Sequence, residues 1–318
     1  MVNLCGEIIV HIAWPVFVNV REKLLNTEKS VQVSQDIHVQ KIYRERRDFK
    51  MLLNAKNGCL KLDDTDMYYI SFGKGEKTLI MIPGLGDGLT TVKGMAIPFS
   101  IMYRKFAKDY KVYVFSRKNK LEEGYSTRDM ARDVMKAMRK LRIKKAHIMG
   151  VSQGGMISQH LAIHYPEFVD KLILCVTIGK QNPTIQSVVS YWYRLAKKGN
   201  YRKIMTDTAK RMYVNYNENV YKVLVPILEL FNAPKTFDRF LVQAKACLTH
   251  DVFDDLHKIQ AKTLVIGAGK DAVLDGQASV EIASQIKNSR LVMFEAYSHG
   301  VYEEAKEFNQ VVLDFLKE

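Results

Sequence analysis

The sequence predicts an α/β fold: a mostly parallel, eight-stranded sheet with flanking helices and a helical lid inserted between the sixth and seventh strands. Three observations carry this. From Cys59 onward, short strand-like runs alternate with longer runs of helical period. The later strand candidates are nearly continuous in apolar residues, as strands covered on both faces must be. One long stretch between two of them is helical throughout. With 47% of its 318 residues hydrophobic and 26% charged, the chain can bury a large core and is not a disordered tail.

In chain order, residues 1–57 read as an N-terminal helical extension, with Val39, Ile42, Tyr43, Phe49 and Leu53 on a packing face and the basic residues 44–47 solvated. The apolar run at residues 8–20 is short of the roughly 20 residues a membrane helix needs, and His11 and Pro15 interrupt it. No basic side chain precedes it and no small-x-small site follows, so it reads as a poor signal peptide; weak association with a membrane surface is the most it suggests. Strands follow at 59–62 and 67–73, paired as a hairpin across Asp63-Asp64-Thr65-Asp66, then at 78–84, 111–116, 147–152, 171–177, 263–269 and 290–295. Ser126-Thr127-Arg128-Asp129 reads as a capping box opening a crossover helix through Met130, Val134, Met135, Met138 and Leu141. The core is thus 58–177 with 259–318, and the lid 178–258. Within the lid, Ile185, Val188, Val189, Trp192 and Leu195 share one helix face, and Phe237, Phe240, Leu241, Ala244 and Leu248 another.

From Lys180 to Lys245 the lid has twelve basic residues against four acidic ones, more than half of the formal net charge of +14. Charges on helix faces are mostly solvated, and no nucleic-acid partner is expected from them. Cys5, Cys59, Cys175 and Cys247 are widely separated and form no C-x-x-C pair, so neither a zinc knuckle nor a disulfide framework is suggested, and a reducing, cytoplasmic setting is the simpler expectation.

The chemistry concentrates at Gly150-Val151-Ser152-Gln153-Gly154, a G-x-S-x-G between a strand and a helix. Such a turn pushes the serine Oγ out of the sheet, and the flanking backbone must approach so closely that glycine is required. A nucleophilic serine needs a base and an orienting acid on later loops. Asp271 follows the seventh strand and His299 the eighth; Asp275 is a weaker alternative acid. The other histidines considered (His147, His160, His164, His250 and His257) read as structural. Pro83-Gly84-Leu85-Gly86-Asp87-Gly88 lacks the Lys-Ser/Thr of a phosphate cradle.

Ser152, Asp271 and His299, in this order and context, resemble the α/β-hydrolase superfamily over about residues 58–318, as do the closing run 298–316 and Pro166-Glu167-Phe168-Val169-Asp170-Lys171-Leu172. The resemblance implies a Ser-Asp-His triad, an oxyanion hole from the Leu85 and Gln153 amides, and no metal or organic cofactor. It also implies acyl transfer on an ester, thioester or lactone. The basic lid suggests a small acyl substrate that is neutral or anionic. The same fold can instead serve a small-molecule receptor, or a peripheral-membrane or polyanion-binding protein.

Overall fold

The computed structural model describes residues 54–318; the helical extension and the run at 8–20 lie outside the described residues, apart from the last few of residues 1–57. Eight strands form one sheet in the order β1-β2-β4-β3-β5-β6-β7-β8. They are β1 Lys56–Leu62, β2 Thr65–Phe72, β3 Lys77–Ile82, β4 Tyr110–Lys118, β5 Ala146–Val151, β6 Val169–Cys175, β7 Lys262–Ala268 and β8 Ser289–Phe294. From β4 onward along that order every pair is parallel; β1 with β2 and β2 with β4 are antiparallel. The β1–β2 turn is tighter than the sequence suggests. Leu62 pairs with Thr65, so only Asp63 and Asp64 turn, with Asp63 at φ 53°.

The helices are α1 Ala96–Met102, α2 Thr127–Lys140, α3 Gln153–His164, α4 Pro183–Lys197, α5 Tyr201–Met212, α6 Glu218–Asn232, α7 Asp238–Leu248, α8 Gln277–Gln285, α9 Val301–Glu304 and α10 Phe308–Lys317. Strand alternation explains the unbroken apolar runs. Leu79, Met81, Ile173, Leu264 and Ile266 pack beneath α1 and α10, while Ile80, Ile82, Leu172, Leu174 and Val265 pack beneath α2, α3 and α8. The Ser126 capping box forms as expected: its Oγ accepts from the Asp129 amide, and Asp129 accepts from the Ser126 amide. Helices α4 to α7 lie between β6 and β7; α4, α5 and α7 share a third apolar cluster that includes Ile185, Val188, Val189, Trp192, Ile204 and Phe240.

β4 runs two residues beyond the apolar stretch that marked it. Lys118 pairs with Met67 of β2, and Arg117 and Lys118 are both buried. Two charged residues in sequence look like a strand end; here carboxylates meet each of them.

Candidate active site

Ser152 sits between β5 and α3 at φ 54°, ψ −120°, a conformation costing a non-glycine residue about 1–3 kcal/mol. Its amide donates to the Cys175 carbonyl at 2.9 Å, and Thr177 Oγ1 donates to the Ser152 carbonyl at 2.8 Å, so the next strand pins both sides of the strained residue. A Cβ at Gly150 would collide with the Gly154 carbonyl and Ser158 Oγ, and one at Gly154 with the Ile82 carbonyl. The flanking glycines are therefore spatial requirements.

Asp271 and His299 leave the ends of β7 and β8 and meet. His299 Nδ1 is 2.8 Å from Asp271 Oδ2, both side chains being buried. The amides of Val273 and Leu274 donate to Asp271 Oδ1, each at 2.9 Å. Burial works against the charged carboxylate, but His299 and these two amides outweigh it, holding Asp271 below the usual range. An anionic Asp271 accepts the Nδ1 proton and leaves Nε2 as acceptor. Ser152 and His299 line one cavity of about 400 Å³. Asp275 is exposed, and its Oδ1 accepts from the Gln277 amide at 3.1 Å within its own turn.

Leu85 and Gln153 each open a helical turn, where an N–H has no intrahelical carbonyl to meet. Gly84 brings the first turn onto the second: a Cβ there would lie 3.2 Å from Ser152 Cβ. Beneath both runs a buried charged network that the sequence reading missed. Arg117 Nη2 donates to the Pro83 carbonyl at 2.5 Å and to Gln153 Oε1 at 2.8 Å. Asp87 Oδ2 accepts from the Arg117 amide at 3.0 Å and from Arg239 Nη2 at 2.5 Å. Arg239, counted above among the solvated charges of the insertion, also reaches the carbonyls of Asp87, Arg117 and Lys118. Gln153 Nε2 donates to the Gln243 carbonyl at 2.8 Å. Helix α7 is thereby fastened to both turns. Burial would raise the Asp87 carboxyl, but the two guanidiniums hold it down; burial lowers Arg117 to about 10 against the pull of Asp87. Only Asp87 gave any signal in sequence, as an acid inside a glycine-rich loop.

The cavity wall includes Ile185, Val189, Trp192 and Phe240 from the insertion; Phe237 packs nearby in the apolar cluster. Among the described residues no lysine or arginine lines it. His250 is buried, with Nδ1 3.0 Å from Thr127 Oγ1, and burial foremost, then His160, lowers it to about 3. His147 and His160 are also buried.

A model of the α/β hydrolase fold family matches residues 77–306. The chain belongs to this family. Among curated relatives, this α/β hydrolase is 26% identical over 276 residues to 2-hydroxy-6-oxo-6-phenylhexa-2,4-dienoate hydrolase of Comamonas testosteroni, covering 83% of this chain and 96% of that one. Among solved structures it is similar to MGS-M2, an α/β hydrolase from a Medee basin deep-sea metagenome library, with TM-score 0.72, 23% identity, and coverage of 82% and 98%. The enol-lactonase of Burkholderia xenovorans LB400 follows with TM-score 0.70, 19% identity, and coverage of 82% and 100%. At these identities the two structures establish the shared fold alone. No helix among the described residues is long and apolar enough to cross a membrane.

Proposed function

We propose that this α/β hydrolase is a serine hydrolase that cleaves a carboxylic ester, thioester or lactone through an acyl-enzyme. The observation that carries the reading is Ser152, strained out of the sheet into the cavity lined by His299, whose Nδ1 is fixed by Asp271. Ser152 Oγ attacks the substrate carbonyl while His299 Nε2 takes its proton, and the carbonyl electron pair becomes an oxyanion facing the Leu85 and Gln153 amides. Collapse expels the alcohol or thiol, protonated by His299. Water, deprotonated by the same imidazole, then attacks the acyl-enzyme, which releases the acid and restores Ser152. A serine at the elbow argues against the carboxylate-nucleophile chemistry of epoxide opening. The four insertion helices serve as a lid over the acyl pocket. A cytoplasmic setting belongs to the same reading, supported by the free thiols of Cys59, Cys175 and Cys247.

The test is a panel of p-nitrophenyl esters of graded chain length, thioesters and lactones, with fluorophosphonate labelling mapped by peptide mass. Turnover of one class with the label on Ser152 is expected. A protein that turns over none of them and takes no label is not a serine hydrolase.

A further inference from the structure

Acyl transfer leaves one polar region of the cavity unused. Four tyrosines and a carboxylate, Tyr103, Tyr213, Tyr221, Tyr302 and Glu303, line the same space as Ser152 and His299. Glu303 stands on α9, four residues beyond His299, and Tyr213 OH donates to its Oε2 at 2.5 Å. Asp87 is the other carboxylate on the lining, but two guanidiniums neutralise it. Glu303 forms no ion pair among the described residues. Tyr221 is 4% exposed, its hydroxyl has no hydrogen-bond partner, and its ring stacks on Tyr213 and Tyr216 with centroids 6.4 and 4.9 Å apart. Burial first, and then the Glu303 charge, pushes the hydroxyls of all four tyrosines up, so they remain neutral rings.

A carboxylate among neutral aromatic rings, in a cavity whose lining holds no lysine or arginine among the described residues, is chemically complementary to an organic cation. The ring quadrupoles attract positive charge, the carboxylate supplies the counter-charge, and the apolar wall takes alkyl groups. We propose that this end of the cavity binds an alkylammonium group, so that the substrate is an ester carrying a cation remote from the scissile carbonyl. The substrate part of this proposal rests on the hydrolase reading; the binding part does not. It departs from the expectation of a neutral or anionic substrate, which followed from the total charge of the lid. Those lysines and arginines are absent from the cavity lining.

Two measurements on the full-length protein separate the parts. Calorimetric titration of tetraethylammonium into Ser152→Ala reads the subsite without turnover. Kinetics on matched pairs reads its use: choline butyrate against 3,3-dimethylbutyl butyrate, and p-nitrophenyl 4-(trimethylammonio)butyrate against p-nitrophenyl 5,5-dimethylhexanoate. Saturable binding is expected, with kcat/KM favouring the cationic member of one pair by about tenfold or more. Glu303→Gln, which keeps an acceptor for Tyr213, should weaken the binding by about tenfold and bring the ratio near unity. If that variant fails to fold by circular dichroism, Tyr221→Leu, which removes one aromatic wall, carries the same comparison. Ester turnover without tetraethylammonium binding or cationic preference overturns the subsite and leaves the hydrolase standing. Binding that Glu303→Gln weakens, with no ester, thioester or lactone turned over and no fluorophosphonate label taken, supports the subsite and overturns the hydrolase.

Discussion

Asp87→Asn removes the one negative charge between the buried Arg117 guanidinium and the largely buried one of Arg239. In the wild type Asp87 Oδ2 takes hydrogen bonds from Arg239 Nη2 and the Arg117 amide and lies 3.9 Å from Arg117 Nη1. Taking one partner from a buried ion pair costs about 3–5 kcal/mol, because the remaining charge is desolvated without compensation. For a chain of this size that corresponds to a melting temperature roughly 4–8 °C lower. Urea unfolding should show a lower midpoint with an unchanged slope. The same carboxylate holds Arg117, and Arg117 holds the Pro83 carbonyl and the Gln153 side chain, so both turns that carry the proposed oxyanion donors should loosen. On p-nitrophenyl butyrate kcat should fall about 10- to 100-fold with KM within about threefold, less than the hundred- to thousandfold loss of a donor itself. Adding Arg239→Met removes one of the two stranded cations, so the double variant should be more stable than the two single losses add up to, by over about 1 kcal/mol. A loss below about 1 kcal/mol in Asp87→Asn, or strict additivity in the cycle, refutes the ion-pair reasoning.

Ser152→Ala should cost kcat on the order of a million-fold while the protein stays folded. Ser152→Gly should melt higher than Ser152→Ala, by about 1 kcal/mol in stability, because glycine adopts φ 54° without strain. Trp192→Ala should alter the ratio of kcat/KM values between short and long acyl chains more than it lowers the melting temperature, since Trp192 lines the cavity; an unchanged ratio makes it a packing residue. His250 and His160 are held near 3 and 4, chiefly by burial, so the folded state keeps them neutral while the unfolded chain takes up protons below about pH 6.5. Their contribution is therefore complete above that pH and lost on acidification, at up to about 1.4 kcal/mol per pH unit for each; His250→Asn should flatten the stability–pH slope between pH 6 and 4.

The sheet was legible because each strand's apolar run is local, and Ser152, Asp271 and His299 because each is announced by its neighbours: glycines, or the end of a strand. What escaped was pairing at a distance. Arg117 and Arg239 are ordinary charges until Asp87 is placed between them. Tyr213, Tyr221 and Glu303 look like surface residues of helices until three segments converge on one cavity. The end of β4 was misjudged for the same reason, since Lys118 is a strand residue only by virtue of its partner on β2. Asp63 and Asp64 show the converse: four polar residues suggested a long turn, and cross-strand pairing claimed two of them.

The clasp from Arg239 to Asp87 spans 152 positions of the chain, and that from Gln153 to Gln243 spans 90. During synthesis the loop at Asp87 emerges long before the helix that must clamp it, and until then a carboxylate and a guanidinium lack their native surroundings. Closing so long a loop is slow relative to local strand and helix formation. The proposed activity should thus be acquired late: on dilution from denaturant, far-UV ellipticity should recover before esterase activity.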